Sequence, residues 1–189
     1  KAGIIRYLGV VPYEVALTQQ EALRQLRAEG KIPDAVLLLQ HPHVYTVGRF
    51  RGEEDILILP EKIPVFHTNR GGSITYHGPG QLVGYPIVRL AGHGNDLRRF
   101  VFNIEETLIR TVRDGYGVEA GRRNGYRGVW AGSGKVGSVG IAVRKGLTMH
   151  GFSLNVNCDL EPFRWIVPCG MPDGEAASLR SILGKEQDI

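Results

Sequence analysis

The sequence predicts a single domain of the α+β or mixed α/β class, a largely antiparallel, mixed sheet flanked by helices. Three observations predict it. A chain of 189 residues suits one domain with a substantial core. Two stretches with a helical apolar rhythm, near residues 13–29 and 95–114, lie among shorter apolar runs of strand length. Residues 118–156 then carry such runs separated by glycines, the pattern of an antiparallel sheet. No linker is apparent, so residues 1–189 read as one unit.

Each element has a local reason. Residues 3–11 are β-branched and apolar and predict a strand, and Pro12 starts a turn. From Tyr13 to Glu29, Val15, Ala16, Ala22, Leu23 and Leu26 recur at helical spacing, and Gly30 stops the helix. Ala35–Leu39 and Val44–Val47 predict strands, Glu53–Leu59 a short helix closed by Pro60, and Ile63–Phe66 another strand. Leu82–Leu90 predicts a strand in which Pro86 marks an edge or a bulge, because proline donates no ladder hydrogen bond. Asn95 or Asp96 can cap a helix to about Asp114, with Leu97, Phe100, Val101, Ile104, Leu108 and Val112 on one face. The tail from Ser178 predicts a helix that frays towards Ile189.

Composition excludes several classes. Hydrophobic content of 42% and charged content of 22% are those of a globular protein, and no apolar run approaches the ~18 residues that span a bilayer. No signal segment opens the chain, which starts at Lys1 without a methionine, so the true start can lie upstream. Two cysteines, Cys158 and Cys169, form neither a CxxC pair nor a disulfide framework, which favours a reducing, cytoplasmic setting. The net charge of +4 is too small to argue for nucleic acid, and no nucleic-acid motif accompanies it. Arg122, Arg123 and Arg127, with Arg98 and Arg99 upstream, form either a solvated face or a patch that steers an acidic partner.

Chemistry concentrates in two places. Asn69–Gln81 reads NRGGSITYHGPGQ: a glycine pair, a short strand and a second glycine-rich turn around an arginine, a tyrosine and a histidine. Adjacent glycines let a backbone approach a bound molecule and aim N–H groups at it, so this segment is expected to wall a ligand pocket. The second place is Cys169, set between Pro168 and Gly170 on a defined turn, as a nucleophile is displayed. Cys158 instead alternates with Phe152, Leu154 and Val156 and reads as a core residue. A free thiol has a pKa of about 8.5, and a nearby cation lowers it. The candidates are Lys135, flanked by glycines in SGKVGSVGIAV, and His77, His150 and Arg70; spacing alone does not rank them.

Four ordered segments carry a resemblance: RGGSITYHGPGQLVGYPI (70–87), GKVGSVGIAV (134–143), HGFSLNVNCDL (150–160) and IVPCG (166–170), with HPHVYTVGR (41–49) in support. Together they resemble the lipoyl(octanoyl) transferase family, lipoate biosynthesis protein B, over residues 5–183. The resemblance implies the fold of biotin and lipoate protein ligases. It implies transfer of an octanoyl or lipoyl group from acyl carrier protein, through a cysteine thioester, to a specific lysine of lipoyl-domain proteins, the first step of protein lipoylation. The acceptors would be 2-oxoacid dehydrogenase E2 subunits and the glycine cleavage H protein. No cofactor, metal, nucleic acid or membrane is implied.

Carried over by position, Cys169 is the nucleophile and Lys135 its partner. The acyl substrate is met by Arg70, Gly71, Gly72, Ser73, Ile74, Thr75, Tyr76 and His77, by Ser138, Val139 and Gly140, and by Gly151, Phe152 and Ser153. Ser73 and Phe152 stand where family members vary. Val139, Leu154 and Tyr76 are expected to line the acyl slot, and backbone N–H groups near Cys169–Gly170 or Gly71–Gly72 to face the oxyanion. An ATP-dependent ligase of the same fold would need no cysteine.

Overall fold

The computed structural model describes residues 3–50, 53–58, 62–167 and 175–189. The chain runs β1 (Ile4–Val10), α1 (Tyr13–Ala28), β2 (Ala35–Gln40), β3 (Val44–Val47), β4 (Val65–His67), β5 (Ile74–His77), β6 (Gln81–Ile87) and α2 (Leu97–Arg110). It continues through β7 (Ala120–Arg123), β8 (Tyr126–Ala131), β9 (Gly134–Arg144), β10 (Leu147–Asn155) and α3 (Leu179–Leu183). Seven strands form a sheet in the order β1-β2-β6-β10-β9-β8-β7, and three form a smaller one, β4-β3-β5. In the large sheet β1 pairs parallel to β2 and the other pairings are antiparallel. The mixed, largely antiparallel sheet expected from the sequence is the one observed.

Register explains how the two long helices find opposite faces. Val83 pairs with Ser153, and Leu82 with Leu154. Side chains alternate along a strand, so Val83 and Leu82 face opposite ways. Val83, Tyr85 and Ile87 pack with Leu37, Leu39 and Ala16 of α1, whereas Leu154 packs with Leu108, Ile109 and Val112 at the end of α2. The Asp96 side chain accepts the Arg99 N–H and caps α2, as its sequence predicts. Beyond Arg110 the helix widens into a π turn, Thr111–Gly115. A third cluster, with Tyr45, Ile74, Tyr76, Phe163 and Ile166, fills the space beside the small sheet.

Four expectations change. Of the helix expected over Glu53–Leu59, only a 3-10 turn at Glu53–Asp55 is present, and Leu59 and Pro60 lie outside the described residues. Pro86 lies in an interior strand, not at an edge. It is tolerated because β6–β10 pairing stops at Gly84, and the Thr148 hydroxyl takes over: it donates to the Pro86 carbonyl (2.6 Å) and accepts the Val88 N–H (2.9 Å). The buried face of α1 is Tyr13, Ala16 and Gln20, while Val15 and Leu26 are exposed. The tail helix is one short turn, Leu179–Leu183, started by a Ser178–Ser181 capping box and stopped by Gly184 in the left-handed region. Among the described residues no helix is long and apolar enough to cross a membrane.

Candidate active site

The glycine segment closes tightly on its neighbours. A Cβ on Gly48, at the end of β3, would lie 2.2 Å from the Gly72 carbonyl oxygen, so a side chain there is excluded. The Gly71 N–H donates to the Ile141 carbonyl of β9 (3.1 Å). That amide is therefore engaged in the fold, which removes it from the expected oxyanion donors. From Ser73 the chain enters β5, and alternation divides the motif. Ser73, Thr75 and His77 face a cavity. Ile74 and Tyr76 are turned into the third core cluster, where the Tyr76 hydroxyl meets His43 Nδ1 (2.6 Å). Neither Ile74 nor Tyr76 lines the cavity, and Leu154, also expected there, is buried against α2.

The cavity has a volume of about 520 Å³. It gathers the three segments that lie far apart in sequence. Arg70, Gly71 and Gly72 form one side with β5; Ser138, Val139 and Gly140 of β9 and Gly151, Phe152 and Ser153 of β10 form another; Lys135 stands at the start of β9. Leu97 and Val101 of α2 add apolar surface. A pocket of this size, walled by apolar side chains with a few fixed polar groups, suits a small ligand or an acyl chain.

Its charge is unusual. The Arg70 guanidinium is buried and fixed: Nε and Nη2 donate to the Thr46 hydroxyl (3.1 and 2.9 Å), Nη2 also to the Thr46 carbonyl, and Nη1 to the Gly71 carbonyl (2.9 Å). Around it the histidines are held neutral. Burial, then repulsion from His41, Arg70 and His150, pushes His77 down to about 3. Burial, then Arg70, pushes His150 down to about 4. His77 and His150 are thus not cations at neutral pH, which leaves Lys135 and Arg70 of the four groups considered for activating a thiol. His77 Nδ1 lies 2.6 Å from Gln81 Oε1, while Gln81 Nε2 donates to the Tyr76 carbonyl (3.2 Å) and to Asn155 Oδ1 (2.9 Å). The amide orientation makes His77 the donor at Nδ1 and leaves Nε2 as an acceptor.

Lys135 is buried, with Nζ 5.2 Å from the centre of the Trp130 ring. Its backbone is engaged on the side away from Trp130: the N–H donates to the Glu175 carbonyl (2.8 Å) and the carbonyl accepts the Ala177 N–H (3.0 Å). Asn155 also donates to the Ala177 carbonyl (2.9 Å). At the other end of residues 168–174, the Val167 N–H donates to the Asp55 carbonyl (2.7 Å), and the Asp55 carboxylate accepts the Ser73 hydroxyl. Asp55 therefore ties the glycine segment to Val167, two residues before Cys169 in the chain. Cys169 itself lies outside the described residues, as do Pro168 and Gly170.

Cys158 is buried as expected, but not on the stripe that predicted it. β10 ends at Asn155, and Cys158 packs with Tyr45, Tyr76 and Phe163 instead of with Leu154 and Val156. Burial pushes its thiol up to about 12, the opposite of a nucleophile's environment. The arginine patch also divides. Arg122 is held at the surface by its neighbours, donating to Glu105 Oε2 (3.1 Å), to Glu106 Oε2 (3.2 Å) and to the Phe102 carbonyl (2.9 Å). Arg98 and Arg127 are exposed and line the cavity, joined by Arg49, which the sequence did not single out. Gln20 was also missed: it is a polar residue on the inner face of α1, and its Oε1 accepts the His150 N–H (2.8 Å) where His150 takes a positive φ of 56°. Among the described residues no group of three or more histidine, cysteine, aspartate or glutamate side chains could hold a metal ion.

The fold is that of solved lipoate and biotin protein ligases. The bipartite lipoate protein ligase of Thermoplasma acidophilum superposes with a TM-score of 0.70 at 16% identity, covering 99% of this chain and 77% of the other. Biotin protein ligase from Aquifex aeolicus, solved with biotin and ATP, superposes at 0.60 and 14% identity, covering 98% and 63%. Sequence narrows the class. The octanoyltransferase of Caldicellulosiruptor saccharolyticus is 50% identical over 189 residues, 97% of this chain and 80% of the relative. That of Desulforamulus reducens is 46% identical over 188 residues, 96% and 82%. Residues 12–189 match the lipoyl protein ligase A/B catalytic domain, and the chain belongs to that family, among its transferases.

Proposed function

We propose that this chain moves an octanoyl group from acyl carrier protein to a lysine of a lipoyl domain, through a thioester on Cys169. Lys135 accepts the Cys169 proton, and the thiolate attacks the carbonyl of the donor thioester. The tetrahedral intermediate collapses with the carrier thiol as leaving group, which takes the proton back from Lys135. One thioester replaces another, so this half is nearly balanced in energy. The acceptor lysine, as its free amine, then attacks the acyl-cysteine; an amide forms, the Cys169 sulfur leaves, and Lys135 takes the amine proton. An amide is more stable than a thioester, so the second half runs downhill. Dividing the reaction lets one large protein depart before another docks.

The observation that carries this reading is the placing of Lys135 on a cavity walled by Val139 and Phe152, with its backbone bonded to Glu175 and Ala177, which follow the Pro168–Cys169–Gly170 motif in sequence. A thioester on Cys169 accords with it, since Cys158 is walled into the core.

The test is incubation with octanoyl-acyl carrier protein, without ATP or magnesium, followed by intact mass. A gain of one octanoyl group is expected, retained by Cys158→Ala and abolished by Cys169→Ala. An adduct lost in Cys158→Ala, or transfer to a lipoyl domain that requires ATP, would reject it.

A further inference from the structure

The backbone beneath Lys135 is built in an uncommon way. In β8 and β9, Val129 pairs with Gly137 but Trp130 pairs with Lys135, so Val136 is an extra residue that bulges β9. Lys135 is the cross-strand partner of Trp130, and Gly128 lies two residues before Trp130 on the same face of β8. Gly128 has φ +121°, a conformation that favours glycine. A Cβ there would lie 2.5 Å from Lys135 Cε, 3.2 Å from Nζ and 2.4 Å from the Gly137 carbonyl oxygen. The end of the lysine side chain therefore rests in a trough made by the missing side chain of Gly128, with the Trp130 ring at its end.

Something holds the trough in shape. The Gly128 N–H donates to Glu105 Oε1 (2.8 Å), and Glu105 is a buried carboxylate on α2. Its other oxygen accepts Arg122 Nε, and the Arg122 guanidinium lies 3.8 Å over the Phe102 ring. A buried carboxylate spent on one backbone amide and one arginine is a costly way to brace a strand unless position matters there.

We propose that Glu105 and Gly128 are positioning residues for Lys135: Gly128 provides the space for the aminobutyl chain, and Glu105 fixes the Gly128 backbone so that Nζ is presented at one place in the cavity. This rests on the reading of Lys135 as the proton acceptor. Arg122 belongs to the same bracket and is not a docking residue.

The experiment measures octanoyl transfer across pH for wild type, Gly128→Ala, Glu105→Gln and Lys135→Met. In parallel, the lysines are reductively methylated with ¹³C-formaldehyde, and the Lys135 resonance, assigned by its loss in Lys135→Met, is titrated. Gly128→Ala should lower kcat by about 100-fold, the effect of misplacing a reacting group by about 1 Å, with KM changed by less than about 3-fold. Glu105→Gln, which keeps the shape but sets an amide donor against Arg122, should lower kcat in the same sense. Both should move the Lys135 titration and the pH–rate midpoint together. If Gly128→Ala does not fold, Glu105→Gln and its titration decide alone. Unaltered kcat and titration in a folded Glu105→Gln protein would overturn the proposal while leaving the role of Lys135 intact. Full activity in Lys135→Met would instead remove the reading on which it rests.

Discussion

Around the Arg70 guanidinium three imidazoles, His41, His77 and His150, are kept uncharged chiefly by burial. His41 is pushed down to about 4, with Nδ1 and Nε2 engaged by the Val11 carbonyl (2.6 Å) and the Tyr85 hydroxyl (2.7 Å). In the unfolded chain each titrates near 6.5, so between pH 6.5 and about 4 the unfolded state binds more protons and stability rises with pH. Stability is full above pH 6.5 and is lost as pH falls, with a limiting slope of about 1.4 kcal/mol per pH unit for each histidine. Urea titrations at pH 7 and pH 5 should show this loss, and His41→Gln should reduce the slope; a flat profile would contradict the assignment. Cys158, pushed up to about 12, should resist alkylation at pH 8 until the protein is unfolded, as peptide mapping would show. At this scale the sequence was read well where one residue's neighbours in the chain are also its neighbours in space. It foretold a buried Cys158 but assigned it to the wrong core, because the strand stops three residues earlier. Nothing in the local text could mark Gln20, whose partner His150 is 130 residues away.

Elements were legible from period and punctuation: Val44–Val47, the helix at 13–28 and the strands between glycines from 118 onward fall close to where the pattern put them. The interior position of β6 was not, since a proline argues for an edge or a bulge. The exception depends on Thr148, which is fully buried and replaces the ladder bond that Pro86 cannot make. Thr148→Val keeps the shape and strands both the Val88 N–H and the Pro86 carbonyl. At about 1–3 kcal/mol for each buried unsatisfied group, the variant should lose at least about 2 kcal/mol in chemical denaturation. A loss under about 0.5 kcal/mol would mean that the two strands find another way to pair.

Over the whole molecule, charge is sorted by use. Arg122, away from the cavity, is paired with Glu105 and Glu106, whereas Arg49, Arg98 and Arg127 are exposed on the cavity's rim. Acidic carrier proteins would meet the second set. Reversing Arg98 and Arg127 to glutamate should raise the KM for a protein donor several-fold and flatten its salt dependence, while Arg122→Ala should lower the melting temperature and leave KM unchanged. Equal KM for both variants and wild type would remove the docking role. The cavity's assembly from residues near 70, 138 and 151 was expected from ordered motifs. The division of β5 was within reach of the two-residue period of a strand, which sends Ile74 and Tyr76 away from the cavity and Thr75 and His77 towards it. The neutral histidines could not be read from sequence, because burial and the approach of Arg70 arise only on folding.

The central claim is that one thiol, Cys169, is primed by one amine, Lys135. The most direct measurement is the rate of alkylation of Cys169 against pH, in wild type and in Lys135→Met, read by peptide mass. The account predicts a wild-type midpoint below the ~8.5 of a free thiol and a higher midpoint in the variant. Superimposed profiles in the two proteins would contradict it.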